Sequence, residues 1–178
     1  IHDKALALSR LIDDLLDISR VEAGQPLILD YETIRVEELL RDVLRPYQDR
    51  CPRHRFELRF ASARTEIEAD YGRIRQVLDN LLSNAVKYSP QGGLIKVTVE
   101  VRDGSFRLSV SDEGVGMTAE QVSHIFDRFY RADNTNSAVR GVGLGMSIVR
   151  HIVKAHKGDI WVESQLGRGT TVHFELPV

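Results

Sequence analysis

Asn80 and Asn84 stand one helical turn apart in the stretch Arg73 to Ser89, RIRQVLDNLLSNAVKYS. Asn competes with its own backbone and costs about 0.5 kcal/mol per helical site relative to better formers, so two of them suggest a use beyond solvation. They share an arc with Arg73, Gln76 and Lys87, and that arc points at something other than the core. Taken alone, the stretch could equally be a solvated face that happens to carry Asn. If it binds, magnesium bridging phosphates is a fitting ligand, because neutral amide oxygens suit it when the phosphates already supply negative charge. Lys87 and the adjoining Tyr88 could then hold phosphate and nucleotide edges. Lys87 also reads as a surface lysine at a helix end.

A second chemical signal is Asp112. Phe106, Leu108 and Val110 alternate as the core face of a strand, and one more step reaches this carboxylate. Burying it is costly unless something donates hydrogen bonds, and an adenine amino group would do so. The alternative is a strand that has ended, with Asp112 capping the following turn. Gly114 and Gly116 lie just beyond it, in Glu113-Gly114-Val115-Gly116, and would let backbone approach a flat ligand. Gly141-Val142-Gly143-Leu144-Gly145 runs into the periodic Met146, Ile148, Val149, Ile152 and Val153. Glycine-rich backbone entering a helix N-terminus is an environment for phosphate. It neither follows a strand nor carries the Lys-Ser/Thr of a Walker loop, so dinucleotide and P-loop fingerprints do not fit. Gly167-Arg168-Gly169-Thr170 reads as a turn. None of the six histidines has metal-ligand or triad spacing, and all read as structural or surface residues.

These residues need elements to hold them. Ile74, Val77, Leu78, Leu81, Leu82, Ala85 and Val86 form the packing arc of the Asn-bearing helix. Further helices are expected over Val36–Asp49, with Pro46 a kink or early stop, and over Ser147–His156. Leu27 to Ile34 alternates loosely like a strand. Phe56, Leu58 and Phe60, then Ile67 and Ala69, then Ile95, Val97, Val99 and Val101, alternate with polar partners. Asp103-Gly104 predicts a tight hairpin into the Phe106 strand. Ile160 and Val162 precede Gly167, and Val172, Phe174 and Leu176 follow it, as a closing hairpin. One apolar face per strand predicts an α+β fold, a two-layer sandwich of a mixed, mostly antiparallel sheet with helices on one face. Ahead of it, Leu8, Leu11, Leu15 and Ile18 make a heptad-like seam over Ala5 to Ala23, ended by Gly24 and Pro26. That long helix is expected to pair into a helical bundle, as in a dimer.

The whole chain is 178 residues and 20.1 kDa, enough for one self-sufficient core. Its 24 basic and 26 acidic residues give a net charge of -2, with no basic surplus for a nucleic acid or an anionic membrane. A lone Cys51 excludes an internal disulfide and a thiolate metal cage. No apolar run reaches the ~18–20 residues a membrane helix needs. The expectation is a cytoplasmic fragment of a longer protein, whose remainder could be anchored in the inner membrane.

In order, NLLSNAVKYS, DEGVG, FDRFYR, a long polar loop, GVGLGMSIV and GRGTTVHF resemble the ATP-binding catalytic domain of sensor histidine kinases of two-component systems, with the histidine kinase/gyrase-type ATPase fold. The resemblance covers about Leu27 to Val178. Ser9 to Gly24 similarly looks like the second helix of the dimerisation and phosphoacceptor domain, which divides the chain into residues 1–24 and 25–178. The resemblance implies Asn84 as the magnesium ligand and Asn80 close to phosphates or metal. Lys87 would bind phosphate, Tyr88 would line the nucleotide and Asp112 would hold the adenine amino group, with Gly114 and Gly116 admitting the base. Phe126, Phe129 and Arg131 would form the hinge of a lid, Arg131 and Arg140 reaching the terminal phosphate. Gly141, Gly143, Leu144 and Gly145 would cradle phosphates, and Thr170 would approach adenine. Asn80, Lys87 and Arg131 are the catalytic candidates.

The sequence departs from that pattern in places. The family's phosphoacceptor His, followed by an acid and a Pro, is missing, and His2-Asp3 is only a partial mimic. Val142 and Met146 stand where Thr and Leu are more frequent, and Lys157 where Gly is common. Hydrolases of this fold place a Glu four residues before the magnesium Asn to activate water; here that position is Asn80, which is no base at neutral pH. The resemblance therefore implies a protein-histidine kinase fragment. It would transfer the γ-phosphate of Mg-ATP to a histidine on a companion helix of its own or a sister chain, for relay to a response-regulator receiver domain, within a homodimer. The fragment alone is not expected to autophosphorylate. The alternatives are a non-catalytic nucleotide sensor controlling a helical dimer, or a serine kinase of the anti-sigma type.

Overall fold

The computed structural model describes residues 25–62, 66–131 and 143–177. The N-terminal helix expected within residues 1–24, and with it the division at residue 24, lie outside them.

Strand β1 (Tyr31–Arg35) leads into helix α1 (Val36–Arg50). Val36, Leu39, Leu40, Val43 and Leu44 recur at helical spacing and are all buried, while Glu37 and Glu38 sit in the first turn, where the helix dipole favours acids. The helix does not stop at Pro46. Proline removes one backbone donor, but the last turn is retained by the Cys51 N–H bonding the Tyr47 carbonyl at 2.9 Å, and the Tyr47 hydroxyl is tethered to the Asp79 carbonyl at 3.1 Å. The expected strand over Leu27 to Ile34 is shorter and later, since residues 25–30 have no regular structure.

Strands β2 (His54–Phe60) and β3 (Glu66–Asp70) precede helix α2 (Tyr71–Tyr88), the Asn-bearing helix. Asp70 caps it by accepting from the Arg73 N–H at 2.9 Å. The same carboxylate accepts the Asp30 N–H at 3.0 Å, and the Asp70 N–H donates to His156 Nε2 at 3.1 Å. His156 is thereby a buried structural bridge. Strands β4 (Gly93–Arg102) and β5 (Ser105–Asp112) form the expected hairpin, with positive φ at Asp103 (52°) and Gly104 (77°), the paired left-handed geometry that a two-residue loop needs.

Helix α3 (Ala119–His124), helix α4 (Gly145–Ala155) and strands β6 (Asp159–Gln165) and β7 (Gly169–Pro177) complete the described chain. Helix α3 is absent from the sequence expectations, although Thr118 and Gln121 form a complete capping box that announces it. Two sheets form among the described residues: β1 pairs with β3, and five strands run β2-β4-β5-β7-β6. Within the larger sheet only β2 with β4 is parallel, so the expectation of a mixed, mostly antiparallel sheet holds. The core joins alternate residues of β4, β5 and β7 to the inner faces of α1, α2 and α4. All helices with buried residues thus cover one face. No helix among the described residues is long and apolar enough to cross a membrane.

Candidate functional site

A cavity of about 330 Å³ opens between α2, α4 and the end of the sheet. Its floor is a cross-strand row: Val110 on β5 pairs with Val172 on β7, which pairs with Val162 on β6. Leu81 and Ala85 from α2 and Met146 from α4 form the walls, with Met117 and Ile125 flanking α3. These surfaces are apolar, as in most ligand-binding clefts. None of these apolar residues was picked as a site residue from sequence, because Val162 and Val172 are indistinguishable from ordinary core positions until the register places them in one row.

The polar groups enter from two sides. Asn84 lines the cavity from α2, and Asp112 and Thr170, paired across β5 and β7, line it from the sheet. Asp112 does both things that its sequence allowed: its Oδ1 accepts the Gly114 N–H at 2.8 Å as a turn cap, and it faces the cavity. Burial pushes its carboxyl above the usual range, and the backbone N–H groups of Gly114 and Thr170 offset part of that. Tyr88 and Gly116 also line the cavity.

The glycines behind Asp112 are required by the protein's own backbone. A Cβ on Gly114 would lie 2.2 Å from the Tyr88 carbonyl oxygen, and one on Gly116, at φ +63°, 2.0 Å from the Gln165 carbonyl oxygen. The Val115 N–H binds that Tyr88 carbonyl at 3.0 Å, and the Gly167 N–H binds the Val115 carbonyl at 2.7 Å. The sequence suggests a close approach by a ligand; the nearer partners are Tyr88 on α2 and Gln165 on β6. Gly169, passed over in sequence as part of a turn, is packed as tightly: its Cβ would fall 2.0 Å from the Asp112 carbonyl oxygen.

Asn80 and Lys87 stand apart from Asn84. Asn80 Nδ2 donates to the Gln76 carbonyl at 3.0 Å, and its Oδ1 faces Gly145. The Lys87 ammonium sits 4.9 Å from the centre of the Tyr88 ring. Neither lines the cavity. Leu144, expected in the phosphate cradle, buries its side chain in the core, and its carbonyl accepts from Ser147 Oγ at 2.8 Å and from the Ile148 N–H at 3.0 Å. It starts α4, so only its backbone remains available to a ligand. Gly143 (φ +79°) and Phe129 (φ +61°) are joined by the Phe129 N–H donating to the Gly143 carbonyl at 3.0 Å. The Arg150 guanidinium lies 5.7 Å from the Phe126 ring centre, and Arg131 is half-buried. Arg140, Gly141 and Val142 lie outside the described residues.

Among the described residues no group of three or more His, Cys, Asp or Glu side chains could hold a metal by itself. A cation here would need oxygen from Asn84 together with oxygen from a ligand.

Comparison with known proteins gives the site a lineage. Residues 69–178 match the family described as histidine kinase-, DNA gyrase B-, and HSP90-like ATPase. Sensor histidine kinase WalK of Bacillus subtilis is 36% identical over 172 residues, covering 94% of this chain and 28% of that protein. The structure of full-length ShkA in complex with AMPPNP superposes with a TM-score of 0.81 at 34% identity, over 96% of this chain and 36% of that one. Histidine kinase ThkA in complex with response regulator protein TrrA gives a TM-score of 0.73 at 30% identity, over 97% of this chain and 48% of that one. The chain spans under half the length of the curated relatives it matches.

Proposed function

The chain belongs to the histidine kinase-, DNA gyrase B- and HSP90-like ATPase family, and from that premise we propose that it is the Mg-ATP-binding part of a sensor histidine kinase. The observation that carries the reading is the convergence of Asn84, Asp112 and Thr170 on one apolar cavity. Asp112 and Thr170 offer acceptor oxygens to the amino edge of adenine, and the Val110–Val172–Val162 row and Met146 pack the ring faces. Phosphates then lie toward Asn84, the start of α4 and the Arg131 side.

The residues fit a magnesium ion held through the ligand's phosphates, with the Asn84 amide oxygen as the protein's contribution. Such an ion neutralises phosphate charge and fixes geometry. Lys87, Arg131 and Arg140 are assigned to the phosphates, Lys87 after leaving the Tyr88 ring. Gly143 and Gly145 supply backbone at the α4 N-terminus, Gly141 is assigned to the same phosphates from its place in the sequence, and Phe126 and Phe129 are assigned to the hinge of the lid. Asn80, four residues before Asn84, orients without accepting a proton, which disfavours water as the nucleophile. The acceptor is therefore a histidine on a companion helix of this or a sister chain in a homodimer. Relay follows to the aspartate of a response regulator.

The test is transfer in trans. This chain, Mg-ATP and a helix bearing an acceptor histidine should together yield acid-labile, alkali-stable phosphoprotein, and the chain alone should not. Normal nucleotide binding with no phosphohistidine would reject the transfer step and leave a nucleotide-sensing module.

A further inference from the structure

Ser164 belongs to the same cross-strand row as the two polar residues that the sheet contributes to the cavity: Asp112 pairs with Thr170, and Thr170 pairs with Ser164. Its hydroxyl makes three contacts. Oγ accepts the Met117 N–H at 2.8 Å, lies 3.0 Å from the Gly169 carbonyl oxygen, and lies 2.9 Å from Thr170 Oγ1. A serine hydroxyl has one proton and two lone pairs. The Met117 N–H can only donate and the Gly169 carbonyl can only accept. All three hydrogen bonds form together only when Ser164 donates to Gly169 and Thr170 donates to Ser164. The opposite assignment, Ser164 donating to Thr170, leaves the carbonyl contact without a proton.

This arrangement uses up the Thr170 proton. What Thr170 Oγ1 has left for the cavity is lone pairs, beside the acceptor oxygens of Asp112, whose own donors, the N–H groups of Gly114 and Thr170, are backbone groups. We infer that Ser164 is a positioning residue for base specificity, holding Thr170 as an acceptor so that the row Asp112–Thr170 accepts hydrogen bonds from a 6-amino group and opposes a 6-oxo oxygen in its place. The inference rests on the reading of the cavity as a nucleotide site. A half-buried acceptor that faces another acceptor makes such a site selective, because neither group donates to the other.

The experiment is calorimetric titration of the whole chain with ATP and with inosine triphosphate, in the presence of magnesium. The unmodified chain should prefer ATP. Ser164→Ala frees the Thr170 hydroxyl to rotate and donate, and should narrow the ATP:ITP affinity ratio about tenfold. Ser164→Thr, which keeps a hydroxyl, should retain the ratio. In a Thr170→Val background, Ser164→Ala should change the ratio no further, since Ser164 acts through Thr170. If Ser164→Ala fails to fold, Ser164→Cys, with its weak hydrogen bonding, is read against the same outcome. An unmodified chain that prefers ATP, with the ratio unmoved in the Ala or Cys variant, overturns the role of Ser164 and leaves the nucleotide site standing. An unmodified chain that binds neither nucleotide overturns the site and this inference with it.

Discussion

Asn80 Oδ1 lies 2.7 Å from the point where a Cβ on Gly145 would sit. Helices α2 and α4 therefore meet at a position that tolerates no side chain unless Asn80 moves. Asn80 Oδ1 is the far end of a side chain tied through Nδ2 to the Gln76 carbonyl, so Gly145→Ala should leave the fold within about 1 kcal/mol of its original stability, the gain in helix propensity offsetting that hydrogen bond as Asn80 swings away. Nucleotide affinity should fall about fivefold, the loss of one modest hydrogen-bonding group. Thermal unfolding and calorimetry separate the two effects. Unchanged affinity would take Asn80 out of the site.

Asn84 should show its role through magnesium. Asn84→Ala is expected to weaken ATP binding about tenfold when magnesium is present and far less when it is chelated. An equal loss in both conditions would mean that Asn84 supports the cavity without holding a cation.

Asp112 sets stability against binding. Burial raises its carboxyl, so its contribution to folding is fully present below the ordinary carboxylate value of 3.8 and is lost as pH rises through the folded value. At neutral pH the ionised group burdens the fold. Asp112→Asn should therefore raise the unfolding midpoint at neutral pH, with the gain vanishing in acid, while ATP affinity drops at least about tenfold through loss of a charge-assisted partner. A stability gain that does not depend on pH would contradict this.

Gly169 and Gly167 have the same sign of φ and different surroundings. A Cβ on Gly167 (φ +77°) meets nothing within 4 Å, whereas on Gly169 (φ +94°) it would meet the Asp112 carbonyl at 2.0 Å. Gly167→Ala should cost about 1 kcal/mol, the left-handed conformation alone. Gly169→Ala should cost about 3 kcal/mol or more, because two strands must separate, and should also disturb the Asp112–Thr170 pair. Denaturant unfolding of both variants gives the comparison.

Lys157 occupies a glycine position. After α4 the Gly158 N–H bonds the Val153 carbonyl and the Lys157 N–H the Lys154 carbonyl, both at 2.9 Å, a Schellman ending with Lys157 at φ +62°. Lys157→Gly should stabilise the domain by about 0.5–1 kcal/mol in denaturant unfolding, with nucleotide affinity unchanged.

The local chemistry was legible in the residues themselves. The two faces of α2, the alternation of β4, β5 and β7, the Asp103-Gly104 hairpin and the position of Asp112 at a strand end all follow from periodicity and turn preference, which act over a few residues. The order of the Asn, Asp and glycine segments is enough to indicate the family, and its candidates Asn84, Asp112 and Thr170 all line the cavity. Helix α3 has a sequence signal too, in Thr118 and Gln121, but its six residues carry too little apolar periodicity to predict a helix.

Only the tertiary structure decided how these pieces touch. Strand pairing brings Val110, Val172 and Val162 into one row and Asp112, Thr170 and Ser164 into the next, joining β5 to a hairpin that begins some fifty residues later in sequence. It also shows that Gly114 and Gly116 yield to Tyr88 and Gln165, and that Leu144 belongs to the core while Asn80 turns toward Gly145. Residue type and spacing specify which groups a segment offers and which face it offers them on. Distances between segments depend on register and on how closely helices settle on the sheet, and a single hydroxyl such as Ser164 acquires a role only once those distances exist.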